Sequence, residues 1–209
     1  MHEILQRTTV IPVVTIPRAA DAVPLASALL RAGLRVIEVT LRTPEALAAI
    51  TAIARGLPDV VVGAGTVLTG ADVTRAADAG ARFLVSPGLT PDLVAAGLGS
   101  ELPYIPGAVT PSEVIAAREQ GFSVLKFFPA EPSGGVEALR HLAPVFPGIA
   151  FCPTGGIGEG NAAKYLALPN VPMVGGAWMT PAEAIAAGNW AEIEELARRA
   201  VRIAQSRTL

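Results

Sequence analysis

The sequence predicts a (β/α)8 TIM barrel, and three observations carry that prediction. Eight short apolar runs rich in β-formers recur with centres twenty to twenty-six residues apart. Ala/Leu/Glu/Arg-rich segments of helical period fill the intervals, so strand and helix alternate along the whole chain. Threonine–proline pairs open several of the helices and glycines close others, which sets the phase of the alternation.

The first run, Val10 to Thr15, leads into the helical pattern Ala22, Leu25, Ala26, Leu29, Leu30, ended by Gly33. The second, Arg35 to Leu41, precedes Thr43-Pro44-Glu45, where threonine can cap, proline suits the first helical position and an acid falls in the first turn. Val60 to Gly63 is the third, followed by Val73, Ala76, Ala77 and Ala79 and closed by Gly80. Arg82 to Ser86 precedes Thr90-Pro91-Asp92, and Pro103 to Pro106 precedes Thr110-Pro111-Ser112-Glu113, whose helix ends near Gly121. Ser123 to Pro129, Ile149 to Thr154 and Val171 to Gly175 complete the set, the last leading to Thr180-Pro181-Ala182-Glu183. The apolar residues run continuously rather than alternating, which implies strands buried on both faces. Eight such units close most naturally into one barrel domain over residues 1–209. The rival arrangement, an open doubly wound sheet, lacks its G-x-G-x-x-G after the first strand.

Composition narrows the function. The chain is 51% hydrophobic and 16% charged with a net charge of −2, a surplus of apolar residues that points to an oligomer interface. Arg198-Arg199 is the longest basic run, which argues against nucleic acid or an anionic membrane and leaves a small molecule as the partner. No stretch reaches membrane-spanning length, and Glu3 and Arg7 before the short run Val10 to Val14 do not form a secretory signal. The single cysteine, Cys152, reads as a small core residue in a reducing cytoplasm. His2 and His141 lie outside any motif, so neither a metal site nor another cofactor is expected.

Lys126 stands out. Of 16 basic residues only two are lysine, and Lys126 sits inside the apolar run Val124-Leu125-Lys126-Phe127-Phe128-Pro129. Lys164, in a polar helical stretch, can simply reach water. An ammonium among such neighbours must be paired or give up its proton, which is also how a nucleophilic amine is made. A snorkelling lysine on an edge strand and a structural ion pair are the alternatives. In Val36-Ile37-Glu38-Val39-Thr40-Leu41-Arg42 the two-residue period places Glu38, Thr40 and Arg42 on one face, and Val124, Lys126 and Phe128 share a face likewise. If both faces point inward, a carboxylate meets an amine across the barrel mouth.

Glycines mark the other pole. Thr154-Gly155-Gly156 ends the seventh strand and Gly175-Gly176 the eighth, the two positions where barrels hold phosphate on bare backbone N–H groups. Tight turns would explain the same glycines. Gly63-Ala64-Gly65-Thr66 reads as a strand-to-loop turn whose hydroxyl could bind a carboxylate, with the fork of Arg42 offered to the same anion. Trp178 and Trp190 read as packing residues, and His141 as covering a helix surface.

Five blocks, in order, resemble a known family: Val36 to Thr43, Val62-Gly63-Ala64-Gly65-Thr66-Val67-Leu68, Ser86-Pro87-Gly88-Leu89, Lys126-Phe127-Phe128-Pro129-Ala130-Glu131, and Phe151-Cys152-Pro153-Thr154-Gly155-Gly156-Ile157. The chain resembles the 2-keto-3-deoxy-6-phosphogluconate aldolases, also described as 4-hydroxy-2-oxoglutarate aldolases, over nearly its whole length. The resemblance implies a metal-free class I aldolase in which Lys126 forms a Schiff base with a 2-keto acid and Glu38 shuttles protons. It implies that Arg42 and Thr66 hold the pyruvyl carboxylate, that Pro87 and Phe128 line the pocket, and that Gly155, Gly156 and Gly176 hold phosphate. Thr154 matches a position linked to the choice between sugar-acid epimers, and a homotrimer is implied as well. The family pattern carries serine where this chain has Ala177, before Trp178, so one hydroxyl contact to phosphate is lost. Two other readings remain at this level: a phosphosugar isomerase or epimerase using the same acid and base, and a non-catalytic sensor of sugar-acid phosphates.

Overall fold

The computed structural model describes residues 8–205; His2, Glu3 and Arg7 lie outside the described residues. Strands and helices alternate as β1 (Val10–Val14), α1 (Ala22–Arg31), β2 (Val36–Thr40), α2 (Ala46–Gly56), β3 (Val61–Gly65), α3 (Gly70–Asp78), β4 (Leu84–Val85) and α4 (Pro91–Gly99). They continue as β5 (Tyr104–Ile105), α5 (Pro111–Glu119), β6 (Val124–Phe127), α6 (Gly135–Val145), β7 (Ala150–Pro153), α7 (Ala162–Leu166), β8 (Val174–Gly176), α8 (Ala182–Ala186) and α9 (Trp190–Gln205). All eight apolar runs of the sequence become strands, each within a few residues of its predicted bounds.

The ladders are parallel, in the order β5-β4-β3-β2-β1-β8, with β6 and β7 forming a second pair. Two bridges join the pieces into a ring: Gly107 to Lys126 between the β5 end and β6, and Thr154 to Gly175 between the β7 end and β8. The Lys126 N–H donates to the Pro106 carbonyl at 2.8 Å, and the Ala108 N–H to the Lys126 carbonyl at 2.9 Å. Because β1 pairs with both β2 and β8 while β6 and β7 bridge the remaining gap, the sheet is closed and the open doubly wound alternative falls. A closed sheet leaves no edge on which a lysine could snorkel.

Two apolar layers follow from the closure. The larger lies between strands and helices, where residues such as Leu25, Leu29, Ile50, Ile53, Val39 and Val62 pack. The smaller fills the barrel itself and comprises Ile11, Val36, Phe83, Val85, Ile105, Val124, Cys152 and Met173. Cys152 is thus the buried core residue its sequence context predicts. Each large side chain removed from water in these layers contributes about 1.5–3 kcal/mol, and both faces of every strand take part.

Inside a ring this narrow some positions must stay small. A Cβ on Gly63 would stand 2.3 Å from the Phe83 ring, so glycine on β3 is what admits that aromatic to the interior. Gly63 and Gly65 are accordingly strand residues, not the turn that the sequence suggests; close approach by neighbours, rather than chain reversal, requires them.

The predicted helix starts divide two and two. Thr90 and Thr110 cap α4 and α5, their hydroxyls accepting from the N–H groups of Leu93 at 3.3 Å and Glu113 at 3.4 Å, with proline just inside. Glu113 returns the bond, accepting from the Thr110 N–H at 2.8 Å, which makes a capping box. Burial alone would raise the Glu113 carboxyl, but the backbone donors of Thr110 and Val109 outweigh it and hold the group below its usual range. Thr43 and Thr180 do not cap. The Thr43 hydroxyl donates to the Ile16 carbonyl at 2.7 Å, tying the β2–α2 loop to the β1–α1 connection, and α2 starts only at Ala46. Thr180 donates to Ala177 at 3.3 Å within its own turn, and α8 starts after Pro181. In both cases a carbonyl elsewhere outcompetes the helix N–H groups for the hydroxyl. Thr69 and Asp72 form a capping box on α3 that has no proline to advertise it. Gly33, Gly80 and Gly121 adopt left-handed φ after α1, α3 and α5, as expected of helix ends.

Replacing Thr110 by alanine is expected to destabilise the fold by about 1 kcal/mol in urea titration, whereas Thr43→Ala should leave the start of α2 in place and act through the loop.

Candidate active site

Lys126 on β6 and Glu38 on β2 lie on inward faces, and the amine donates from Nζ to Glu38 Oε1 at 2.9 Å. Their side chains are 5% and 4% exposed, so the pair is out of water. The geometry eliminates the snorkelling alternative for Lys126, whose strand neighbour Val124 belongs to the barrel interior. Phe128 covers the amine with its ring centroid 5.5 Å from Nζ, a contact worth roughly 0.5–2 kcal/mol to a cation.

What surrounds the pair fixes its geometry. A Cβ on Gly65 would stand 2.1 Å from Glu38 Oε1, so the bare backbone of β3 is the space the carboxylate occupies. Cys152 faces Lys126 in register on β7. Burial, reinforced by the Glu38 charge, pushes its thiol up to about 12, which keeps it protonated and unreactive.

At the rim the strand ends bring further residues together. β2 ends at Thr40, so Arg42 lies beyond the strand, exposed, with its Nε donating to Thr66 Oγ1 at 3.1 Å. Thr66 itself takes a left-handed φ of +58°, a conformation a β-branched residue adopts only when its surroundings impose it. Thr40 stays buried and bonds Thr15 through their hydroxyls at 2.9 Å and the Val14 carbonyl at 3.2 Å. Pro87 is half-buried after β4, where its carbonyl comes so close to Gly107 that a Cβ there would stand 2.1 Å away. Beside it, the Ser86 hydroxyl bonds the Gly88 carbonyl at 2.5 Å and the Tyr104 hydroxyl at 2.7 Å, which holds the turn in place.

The glycine pole lies on the loops after β7 and β8. Gly155 and Gly156 have φ of +98° and +77°. The Gly155 carbonyl accepts from the Glu131 N–H at 3.1 Å, and the Gly156 carbonyl from the Asn161 side chain at 3.0 Å. The Gly155 N–H lies on the side of the Thr154–Gly175 bridge, whereas the Gly156 N–H donates to no acceptor among the described residues, so the turn pairs anchored carbonyls with a free donor. A Cβ on Gly155 would stand 3.2 Å from the Phe128 ring, so this pole abuts the aromatic that covers the amine. Thr154 is buried, and its Oγ1 has no partner among the described residues. A Cβ on Gly175 would stand 2.4 Å from that hydroxyl, and one on Gly176 would stand 2.1 Å from the Trp178 ring. Trp178 and Trp190 pack against the core as the sequence suggests. Ala177 is exposed beside this pole, and His141 and Lys164 are exposed on helices.

Of the eleven candidate site residues, Glu38 lies mid-strand on β2 and Lys126 within β6, and the other nine fall at the carboxyl ends of strands or in the loops just beyond them. Sequence reasoning did not find Gly65 as the seat of Glu38, Ser86 and Tyr104 as the brace of Pro87, or the contact of Glu131 with the glycine turn. The first had a signal, since Gly63 and Gly65 follow the same two-residue period as the inward residues of β2; the others depend on contacts between distant segments.

A closed parallel barrel with a buried lysine amine against a carboxylate at its mouth is the arrangement of a class I aldolase, a lyase. Residues 1–196 match the family described as "Aldolase: KDPG and KHG aldolase". The 2-dehydro-3-deoxy-phosphogluconate aldolase of Pseudoalteromonas atlantica is 47% identical over 200 residues, covering 96% of this chain and 93% of that protein. The KHG/KDPG aldolase of Escherichia coli K12 is 46% identical, with 96% and 94% covered. Among solved structures, a KDPG aldolase from Legionella pneumophila, with pyruvate captured at low pH as a covalent carbinolamine intermediate, superposes with a TM-score of 0.91. It is 46% identical and covers 93% of this chain and 95% of its own. The chain belongs to the KDPG and KHG aldolase family and is a lyase.

Gly65→Ala should push the Glu38 carboxylate off the amine. Aldolase activity is expected to fall by about 100-fold or more, the scale of a lost acid–base partner, while circular dichroism still reports a folded barrel.

Proposed function

We propose that this chain cleaves 2-keto-3-deoxy-6-phosphogluconate to pyruvate and glyceraldehyde 3-phosphate, and 4-hydroxy-2-oxoglutarate to pyruvate and glyoxylate, through a Schiff base on Lys126. The observation that carries the reading is the buried 2.9 Å contact between Lys126 and Glu38. The names of the relatives support it.

The chemistry follows from that contact. With its proton passed to Glu38, the amine adds to the C2 ketone and forms a carbinolamine. Glu38 returns a proton to the departing hydroxyl, and water leaves an iminium on Lys126. Glu38 then takes the proton of the C4 hydroxyl as the C3–C4 bond breaks. The electrons of that bond flow into the iminium, giving an enamine and releasing the aldehyde. Protonation at C3 and addition of water free pyruvate and restore the amine. The iminium serves as the electron sink, so the cycle calls for neither metal nor cofactor.

The rim and the glycine pole supply binding. Arg42 and Thr66, already paired at 3.1 Å, hold the pyruvyl carboxylate. Pro87 and Phe128 wall the pocket. Gly155, Gly156 and Gly176 offer backbone donors to the phosphate, with Ala177 alongside, and the unpartnered Thr154 hydroxyl faces the sugar-acid hydroxyls that distinguish epimers. The whole chain, residues 1–209, acts as one catalytic unit on a small-molecule substrate. No helix among the described residues is long and apolar enough to cross a membrane. The enzyme is further proposed to be a cytoplasmic homotrimer, and the exposed Leu98 and Ile115 on neighbouring helices α4 and α5 support a buried face in an assembly.

Pyruvate release from the phosphorylated and unphosphorylated substrates, measured side by side, tests the reading. Release from both is expected, with loss of both in Lys126→Ala; epimerisation or deuterium exchange without pyruvate would replace the aldolase by an isomerase. Restoring a hydroxyl with Ala177→Ser should lower KM for the phosphorylated substrate by roughly tenfold and leave the other unchanged, since a hydrogen bond to a charged group is worth about 1.5–3 kcal/mol.

A further inference from the structure

The N–H groups of Gly155 and Gly156 point where they do only if their peptides are held. A peptide unit is planar and trans, so its C=O and N–H face opposite ways, and fixing one aims the other. Glycine at positive φ offers the least resistance to a flip of that plane, so the turn does not fix itself. The Gly155 carbonyl is anchored by the Glu131 N–H at 3.1 Å, and this bond aims the N–H of Gly156. Glu131 is exposed in the β6–α6 loop, whose backbone is bonded at Ala130 and Gly134, and its side chain adds a further tie.

That tie is to Tyr165. The tyrosine is fully buried on α7, and its hydroxyl donates a hydrogen bond to Glu131 Oε1. The surroundings are shaped to this contact. A Cβ on Gly135 would stand 3.1 Å from the Tyr165 hydroxyl and 3.3 Å from Glu131 Oε1, and one on Gly156 would stand 2.6 Å from Glu131 Cγ. The neighbouring bond from the Ala130 N–H to the Thr154 carbonyl, 2.8 Å, lays the same loop along β7. Phe128, three residues before Glu131, covers the amine of Lys126. One short loop thus touches both poles of the site.

We infer that Glu131 and Tyr165 form a latch that fixes the Gly155-Gly156 peptides and thereby sets how tightly the phosphate of the substrate is held relative to the amine. They are positioning residues: neither is needed for Schiff-base chemistry, and both act through the glycine turn. Burial and the adjacent Glu131 carboxylate push the Tyr165 hydroxyl above the ordinary tyrosine range, so it remains a donor throughout the working pH range. The inference rests on the proposed function, since it assigns the free N–H of Gly156 to a phosphate.

Tyr165→Phe keeps the ring that fills the core and removes only the donor. It is expected to raise KM for 2-keto-3-deoxy-6-phosphogluconate about tenfold with kcat within about twofold, the scale of one lost interaction. KM for 4-hydroxy-2-oxoglutarate and the rate of deuterium exchange into the pyruvate methyl should stay at wild-type values. Glu131→Ala, at an exposed residue whose removal spares the core, should reproduce that split, while Glu131→Gln, which keeps an acceptor for the tyrosine, should restore wild-type KM. Equal losses on both substrates, or wild-type KM in Tyr165→Phe and Glu131→Ala, would overturn the latch. A wild-type enzyme without preference for the phosphorylated substrate would instead remove the phosphate assignment beneath it, before any variant is compared.

Discussion

One amine and one carboxylate, held 2.9 Å apart out of water, are the constraint on which the structure depends. Neither charge is tolerable alone in such a place, and deleting one partner of a buried pair costs about 3–5 kcal/mol because the other is stranded. Yet two apolar side chains of matching shape would serve stability as well or better. Stability alone therefore does not explain the pair. The fold is arranged around the contact. β2 and β6 are brought face to face only because the ring closes, and Gly65 is bare because the carboxylate takes the room of its side chain.

The rest of the site is organised as two poles at one end of the barrel. Arg42, Thr66 and the braced Pro87 turn lie just past the ends of β2, β3 and β4, each placed by the end of its strand rather than by a long loop of its own. The glycine turn after β7 and the residues after β8 make the other side. Gly155 abuts Phe128 and Glu131 bonds the turn, so the covering of the amine and the glycine turn share one mechanical support. Short strand-to-loop transitions on a closed ring allow little independent motion between the poles, which suits a substrate that must present its ketone and its far end at a fixed separation.

The architecture was legible because a buried parallel strand writes a continuous apolar run, and eight of these at regular spacing leave few other closures. Lys126 was legible for the opposite reason: a charge inside such a run contradicts its context and asks for a partner, and the two-residue period pointed to Glu38. Other features were hidden for physical reasons. Gly63 and Gly65 read as a turn, since glycine in isolation reports only freedom, whereas here they make room for Phe83 and Glu38 from other strands. Thr43 and Thr180 carry the same local signature as Thr90 and Thr110, and the difference lies in carbonyls that only the folded chain presents. The bond between Tyr165 and Glu131 joins two helices' worth of separated chain and leaves no periodic trace.

The most direct test of the central claim is covalent capture. Incubation with pyruvate and borohydride, followed by mass mapping of the digested protein, should place a single reduced pyruvyl adduct on the peptide containing Lys126 and none in Lys126→Ala. An adduct on Lys164, or an undiminished one in the variant, would contradict the assignment of the amine.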